Sequence, residues 1–338
     1  QIVVAMELQD LYLADPAMPS HTGKLRRSDG RKYPSLLVAL GLARAGTYSP
    51  NTRGLSLLHF TSQEELEGFL EYLPDTNPLI VNSAQALLLL YAFLENDGEV
   101  VAPLLSQLCE HATEDFSDRE AGDHLPEIYR SVIGYHRRRL LSADERDRLE
   151  SLEQIADSIE QWRRRTYTGG GAHIEAGTPR VEPYVDIGLL EKPDPFIYKY
   201  RFRQTGLVWA QALGEVRTDS EVSEFLTTRF FSTAARACSI DAKRVCEPEL
   251  IVPRMHHAWQ AIQSAGGYAP IGEMALVAGI EALLDHGLII EPSAAREAIL
   301  AYQKENPYKV RFTVNRMGVL AHARFLEAPA KVSDQAGQ

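Results

Sequence analysis

Apolar and polar positions along this chain repeat with two periods, and each change of period marks an element. Residues 3–13 carry apolar side chains at helical spacing, and Asp15-Pro16 ends that run, because the residue before a proline avoids the helical region. Residues 33–42 predict a helix with Pro34 tolerated in its first turn. Residues 83–95, 99–111 and 125–139 predict three more, the first two separated by a turn at Asn96-Asp97-Gly98. Ser142 and Glu145 make a capping box that opens a polar helix to Arg165, with a thin apolar stripe at Leu149, Leu152, Ile155 and Ile159. Gly169-Gly170-Gly171 reads as a hinge. Thr178-Pro179 offers an N-cap and a first-position proline to a helix running to Leu190. Residues 196–202 alternate as a strand does, and 207–213 return to helical spacing. Residues 250–264 and 271–286 predict a helical pair, 293–305 an inserted helix, 309–314 a strand, and 317–326 the last helix.

Three stretches share an order. Leu40-Gly41-Leu42 leads to Gly54, Ile187-Gly188-Leu189 to Gly206, and His286-Gly287-Leu288 to Gly318. Each closing glycine has an apolar residue four back and a polar one three back: Pro50 and Asn51, Phe202 and Arg203, Val314 and Asn315. A helix that stops at a left-handed glycine, re-enters the core, forms a two-stranded wing and starts a new helix has this outline. The chain thereby resembles the winged helix-turn-helix superfamily, and the string of modules resembles the multi-winged-helix recognition regions of some restriction enzymes.

The resemblance implies a mainly α fold with short β wings, an α+β chain of tandem winged-helix modules. The expected divisions are 1–76 as the first module and 77–141 as a helical, wingless helix-turn-helix. A connecting helix and hinge follow over 142–171, then a third module with a helical extension over 172–246. A last module spans 247–328, and a frayed tail 329–338.

Composition narrows the function. The 338 residues, 45% apolar and 24% charged, suit a soluble globular chain of two or three domains. A net charge of −11 argues against nonspecific coating of nucleic acid, which takes a basic protein. The longest apolar run, 84–94, is too short for a bilayer, so no membrane association is expected. Cys109, Cys238 and Cys246 lack metal-ligand spacing and read as reduced thiols, which points to the cytoplasm. The chain begins at Gln1 rather than Met, which leaves room for residues upstream.

In the superfamily, DNA is read by the helix ahead of the Gly-Leu, while the wing meets phosphates or the minor groove. Carried onto this sequence, that rule selects Lys24, Arg26, Arg27, Arg31 and Lys32 at the first helix, with Arg53 beyond the first wing. In the third module it selects Arg180 on the helix and Lys199, Arg201 and Arg203 alternating along the wing strand. In the last it selects Lys309, Arg311 and Arg316 on the wing, because the helix at 271–286 carries Glu273, Glu281 and Asp285 and reads as a packing or partner surface. The competing reading of all these cations is a solvated face. Helix dipoles account for the arginine triplets at 137–139 and 163–165 without any ligand.

No catalytic set is found. His256 and His257 are adjacent on a helix and point apart. Asp186, Glu191 and Lys192 straddle a helix end, unlike a nuclease motif, and the triple glycine follows a helix and is no phosphate loop. The expectation is a non-enzymatic protein with no cofactor, no metal and no small-molecule substrate. It would be a DNA-binding subunit of a multi-protein, nucleic-acid-processing complex of restriction or prokaryotic defence type, meeting double-stranded DNA and partner proteins. The alternative is an acidic winged-helix scaffold that binds proteins, as in accessory subunits of chromosome-organising complexes.

Overall fold

In the computed structural model the chain is mostly helical with a few short strands, an α+β protein. The structure describes residues 38, 40, 42–44, 50–61, 81–110, 115–139, 143–166, 174–193, 199–315 and 319–329, with backbone alone for 143–144, 158–166 and 174–179. The helix expected at 3–13, most of that at 33–42, Ser142 of the capping box, the glycine hinge and nearly all of the tail lie outside these residues.

In chain order the elements are α1 (Thr52–His59), α2 (Ser83–Cys109), β1 (Phe116–Ser117), α3 (Asp118–His136), α4 (Ala143–Thr166) and α5 (Ile174–Asp186). Then come β2 (Leu190–Glu191), β3 (Lys199–Phe202), α6 (Gln204–Ala212), α7 (Asp219–Thr228), α8 (Phe230–Ala237) and β4 (Lys243–Arg244). The chain closes with α9 (Pro248–Ile262), β5 (Ala269–Pro270), α10 (Ile271–His286), β6 (Leu288–Ile289), α11 (Pro292–Glu305), β7 (Val310–Val314) and β8 (Leu320–Phe325). Two compact units result: residues 1–88 with 242–338, and residues 89–241.

In the unit built from the chain ends, Pro248 and Pro292 occupy first-turn positions of α9 and α11, where a missing N–H costs nothing. Gly287 ends α10 in the left-handed region at φ 61°. Three strands order β5-β8-β7, with β8 antiparallel to both neighbours, and β4 pairs parallel with β6. Ile251 and Met255 of α9, Met274 and Val277 of α10, Ile299 of α11 and Phe325 of β8 fill one core. Ahead of it, α1 packs on α9 and α10. Asn51 caps α1 by accepting from the Gly54 N–H at 3.0 Å.

In the unit of residues 89–241, α2 bends at Asp97, whose φ of −138° is not helical. Ser117 and Glu120 open α3 with a reciprocal capping box. The strands order β1-β3-β2, with β3 antiparallel to both neighbours. Tyr200 and Phe202 point inward from β3 while Lys199 and Arg201 point out. Trp209, Phe225 and Phe230 make an aromatic core, the Trp209 and Phe230 rings 5.2 Å apart.

The break expected at Asn96-Asp97-Gly98 is present: non-helical Asp97 divides α2 into two helices that meet at a kink, and beside it Gly98 admits Val222, since a Cβ there would stand 2.8 Å from its Cγ1. Other predicted elements change. Thr178-Pro179 does not start α5, which begins at Ile174 and stops at Asp186; burial of Val181 and Tyr184 outweighs the local proline signal. The stretch 77–141 is not strandless, since β1 pairs with β3. The last helix expected at 317–326 is instead β8: Ala323 and Phe325 face the core and His322 and Arg324 face out, a period of two that pairing with β7 enforces. Gly318 lies outside the described residues, so only two of the three Gly-Leu copies continue into a described helix.

Those two copies share one geometry. Asn51 donates its N–H to the Leu42 carbonyl at 3.2 Å, and Arg203 donates its N–H to the Leu189 carbonyl at 3.0 Å. A Cβ on Gly54 or on Gly206 would overlap that same carbonyl oxygen. The helix that follows each contact therefore starts against the residue bearing that carbonyl only because glycine stands there.

Candidate functional site

Of the cations selected by the sequence, Lys24, Arg26, Arg27, Arg31, Lys32 and Arg316 lie outside the described residues. The others separate by whether a carboxylate holds them. Arg53, on α1, meets Glu273 of α10 with Nε and Nη2 at 2.8 and 2.5 Å from one carboxylate oxygen, both side chains largely buried. Arg180, on α5, pairs with Asp97 at 3.0 Å and donates to the Tyr129 hydroxyl at 2.5 Å. Burial pushes the Asp97 carboxyl and the Tyr129 phenol above their ordinary values, and does the same to Tyr184.

On the outward side of β3 and just past it the arginines are neutralised from both sides, while Lys199 is exposed with no carboxylate partner among the described residues. Arg201 meets Asp115 at 2.7 Å, ahead of β1, and Glu191 at 3.9 Å, on β2; Arg203 meets Glu191 at 3.5 Å. The hydrogen bond and charge of Asp115 raise the Arg201 guanidinium above its usual value. Lys192 pairs with Glu182. The arginine triplet that ends α3 is likewise engaged, Arg137 with Glu153 at 2.7 Å and Arg139 with Asp219 at 2.9 Å.

The hairpin of β7 and β8 is different. Arg311 and Arg324 are exposed and directly opposite one another in the register, followed by Thr313 opposite His322. Among the described residues, no carboxylate pairs with Lys309, Arg311 or Arg324. The Arg324 guanidinium lies over the Tyr268 ring, 5.9 Å from its centre, and donates to the Gly266 carbonyl at 3.4 Å. Gly267, at φ 75°, passes beneath it where a Cβ would come within 3.1 Å of Nε. The helix predicted over 317–326 would scatter His322 and Arg324 from Arg311, whereas the strand brings them beside it. The usable signal is the alternation from Ala321 to Phe325.

Of the three carboxylates of α10, Asp285 is exposed while the other two are engaged within the fold. Glu273 is taken by Arg53, and Glu281 receives His59 Nε2 at 2.7 Å and His257 Nδ1 at 3.1 Å. Helix α1 covers part of the face that the sequence left outward. Burial would raise the Glu281 carboxyl, but the two histidine contacts hold it below its ordinary value. A depressed carboxyl stabilises the fold above its unfolded-state pKa, and that contribution is lost as pH falls through the folded value. Glu281→Gln is accordingly expected to lower the unfolding midpoint at pH ~7, with a smaller deficit at pH ~3, below the ordinary carboxylate value. Thermal denaturation at both pH values checks this, and an equal deficit at both would refute it. Among the described residues, no three His, Cys, Asp or Glu side chains are placed to hold a metal ion, and no helix is long and apolar enough to cross a membrane.

No protein-family model, no curated protein and no solved structure matches this chain.

Proposed function

We propose that the protein is a non-catalytic DNA-recognition subunit of a larger nucleic-acid-processing complex. In this reading each unit is a winged helix, and the β7–β8 hairpin is the wing that meets the phosphate backbone. Supporting the reading, both units share the order helix, short strand, helices, hairpin, with the first strand beside the last: α2, β1, α3, α5, β2, β3 in one, which also inserts α4, and α9, β5, α10, α11, β7, β8 in the other, which also inserts β6. On this alignment α11, and not α10, occupies the reading-helix position, and it offers Arg296 and Lys304 among its exposed residues.

One observation carries the DNA reading. Arg311 and Arg324 stand opposite each other on neighbouring strands with no carboxylate among the described residues to relieve them. Like charges at directly opposed positions destabilise a sheet, and a polyanion would remove that penalty. The matching hairpin of the other unit has its arginines tied to Asp115 and Glu191, with Lys199 its one exposed cation lacking a carboxylate among the described residues, which suits contact with protein. The two copies would thus divide the work, DNA on one and complex partners on the other.

The test is the salt dependence of binding to a labelled duplex. Arg311→Ala with Arg324→Ala should weaken binding roughly tenfold or more and reduce the log–log salt slope by about 2, near 0.9 for each phosphate contact. Unchanged affinity and slope, with folding intact by circular dichroism, would remove this hairpin as the DNA contact.

A further inference from the structure

Four of the five exposed large apolar side chains among the described residues lie on or beside the same hairpin, the fifth being Ile155 of α4. Tyr308 is 87% exposed, Val314 61%, Val319 44% and Leu326 39%, and between them on the chain lie Lys309, Arg311, His322 and Arg324. Tyrosine in a folded chain ordinarily covers its ring and wets only its hydroxyl. Tyr308 covers almost none of it.

The backbone around Tyr308 is held. Asn306 N–H donates to Tyr302 O at 2.8 Å as α11 ends, and Lys309 N–H donates back to Asn306 O at 3.0 Å. Leu326 N–H then donates to Lys309 O at 2.8 Å and closes the base of the hairpin. The ring is presented from a hydrogen-bonded turn one residue ahead of the cationic strand. Along that strand, Lys309 and Arg311 share a face because they are two residues apart.

An exposed ring beside a row of unpaired cations is the combination that holds unpaired nucleotides. The cations follow the backbone, and the ring stacks on the face of a base, whichever base it is. A closed duplex offers phosphates but keeps its base faces covered, so phosphate contact alone gives Tyr308 no role.

We propose that the β7–β8 hairpin engages DNA where bases are unpaired, at a single-stranded tail or an opened end. Tyr308 stacks on a base there, while Lys309, Arg311 and Arg324 contact the phosphates of the same strand. The proposal rests on the reading of this hairpin as the DNA-binding face and adds which form of DNA it takes.

The experiment is fluorescence anisotropy of the full chain with a labelled oligothymidylate and with a labelled blunt duplex of equal length. Tyr308→Ala should weaken oligothymidylate binding roughly tenfold and leave the duplex unaffected, since each stacked base contributes on that scale. Tyr308→Phe should restore binding, because it keeps the ring and loses only the hydroxyl. The high exposure of Tyr308 makes misfolding of these variants a minor concern. Tyr308→Ala binding both probes like the wild type would overturn the proposal, as would Tyr308→Phe failing like Tyr308→Ala. If the Arg311/Arg324 variant still loses duplex binding in that case, only the stacking inference falls. If the wild type binds neither probe, the DNA reading falls with it. Binding of polyglutamate in preference to both DNAs would point to an acidic protein partner and overturn the proposal.

Discussion

Gly206→Ala is expected to destabilise the protein by about 3–5 kcal/mol, at the upper end for a single methyl group, because the site offers no relief. The added Cβ would overlap the Leu189 carbonyl oxygen and stand 2.9 Å from its carbon and 3.1 Å from Phe202 Cδ1. Two of those three atoms are backbone. That backbone is committed: the Leu189 carbonyl accepts from Arg203 N–H at 3.0 Å, and Leu190 pairs with Phe202 in the sheet. Moving it would break the start of the hairpin or shift α6, which seats Trp209 in the aromatic core. Gly134, in α3, is the internal control. A Cβ there meets nothing within 4 Å, so Gly134→Ala should stabilise by about 0.5–1 kcal/mol through backbone entropy. Urea unfolding of the two variants provides the measurement. Loss of less than about 1 kcal/mol in Gly206→Ala would mean that the close approach is not a constraint.

Glu99→Ala is expected to cost a similar amount, about 3–5 kcal/mol, for an electrostatic reason. Glu99, on α2, is 1% exposed and receives His136 of α3 at 2.7 Å and Arg148 of α4 at 2.6 Å. His136 is equally buried, and its Nδ1 has no hydrogen-bond partner, so Glu99 is its one polar contact among the described residues. Removing the carboxylate strands a buried imidazole and leaves Arg148 with only the Asn96 carbonyl, at 3.3 Å, from this cluster. The origin of the cost can be separated from the cavity it leaves. Replacing Glu99 and His136 together with leucine removes both polar groups and fills the space. If the penalty is an unpaired buried group, the double variant should recover more than half of the loss. A double variant as unstable as the sum of the singles would show that packing, not pairing, sets the cost.

Much of the helical layout was legible from apolar spacing and punctuation. Helices α9, α10 and α11 begin and end within a turn of where proline, glycine and periodicity put them, because these signals act over three or four residues. The outward Lys199 and Arg201 of β3 followed from simple alternation. Strand β8 was not legible. Leucine, alanine and arginine suit a helix locally, and only hydrogen bonding to β7 and β5 makes residues 320–325 extended. Helix α5 was misjudged for a related reason, since a proline signal was overruled by burial of Val181 and Tyr184.

The candidate site divides along the same line. Arg201 on β3 and Arg311 on β7 look alike in sequence, each an exposed cation alternating with apolar neighbours. They differ because Asp115 reaches Arg201 across 86 residues of chain, while Arg311 meets Arg324. Glu281 likewise read as an open carboxylate until His59, 222 residues away along the chain, closed over it. What the sequence by itself determined were the bounds of helices α9, α10 and α11, the glycine that ends α10 and the outward cations of β3. Those depend on neighbours a few bonds away. Which charges are neutralised, which strand pairs with which, and which aromatic ring remains in water were decided by the tertiary structure, because ion pairing and burial depend on distances in space that folding alone establishes.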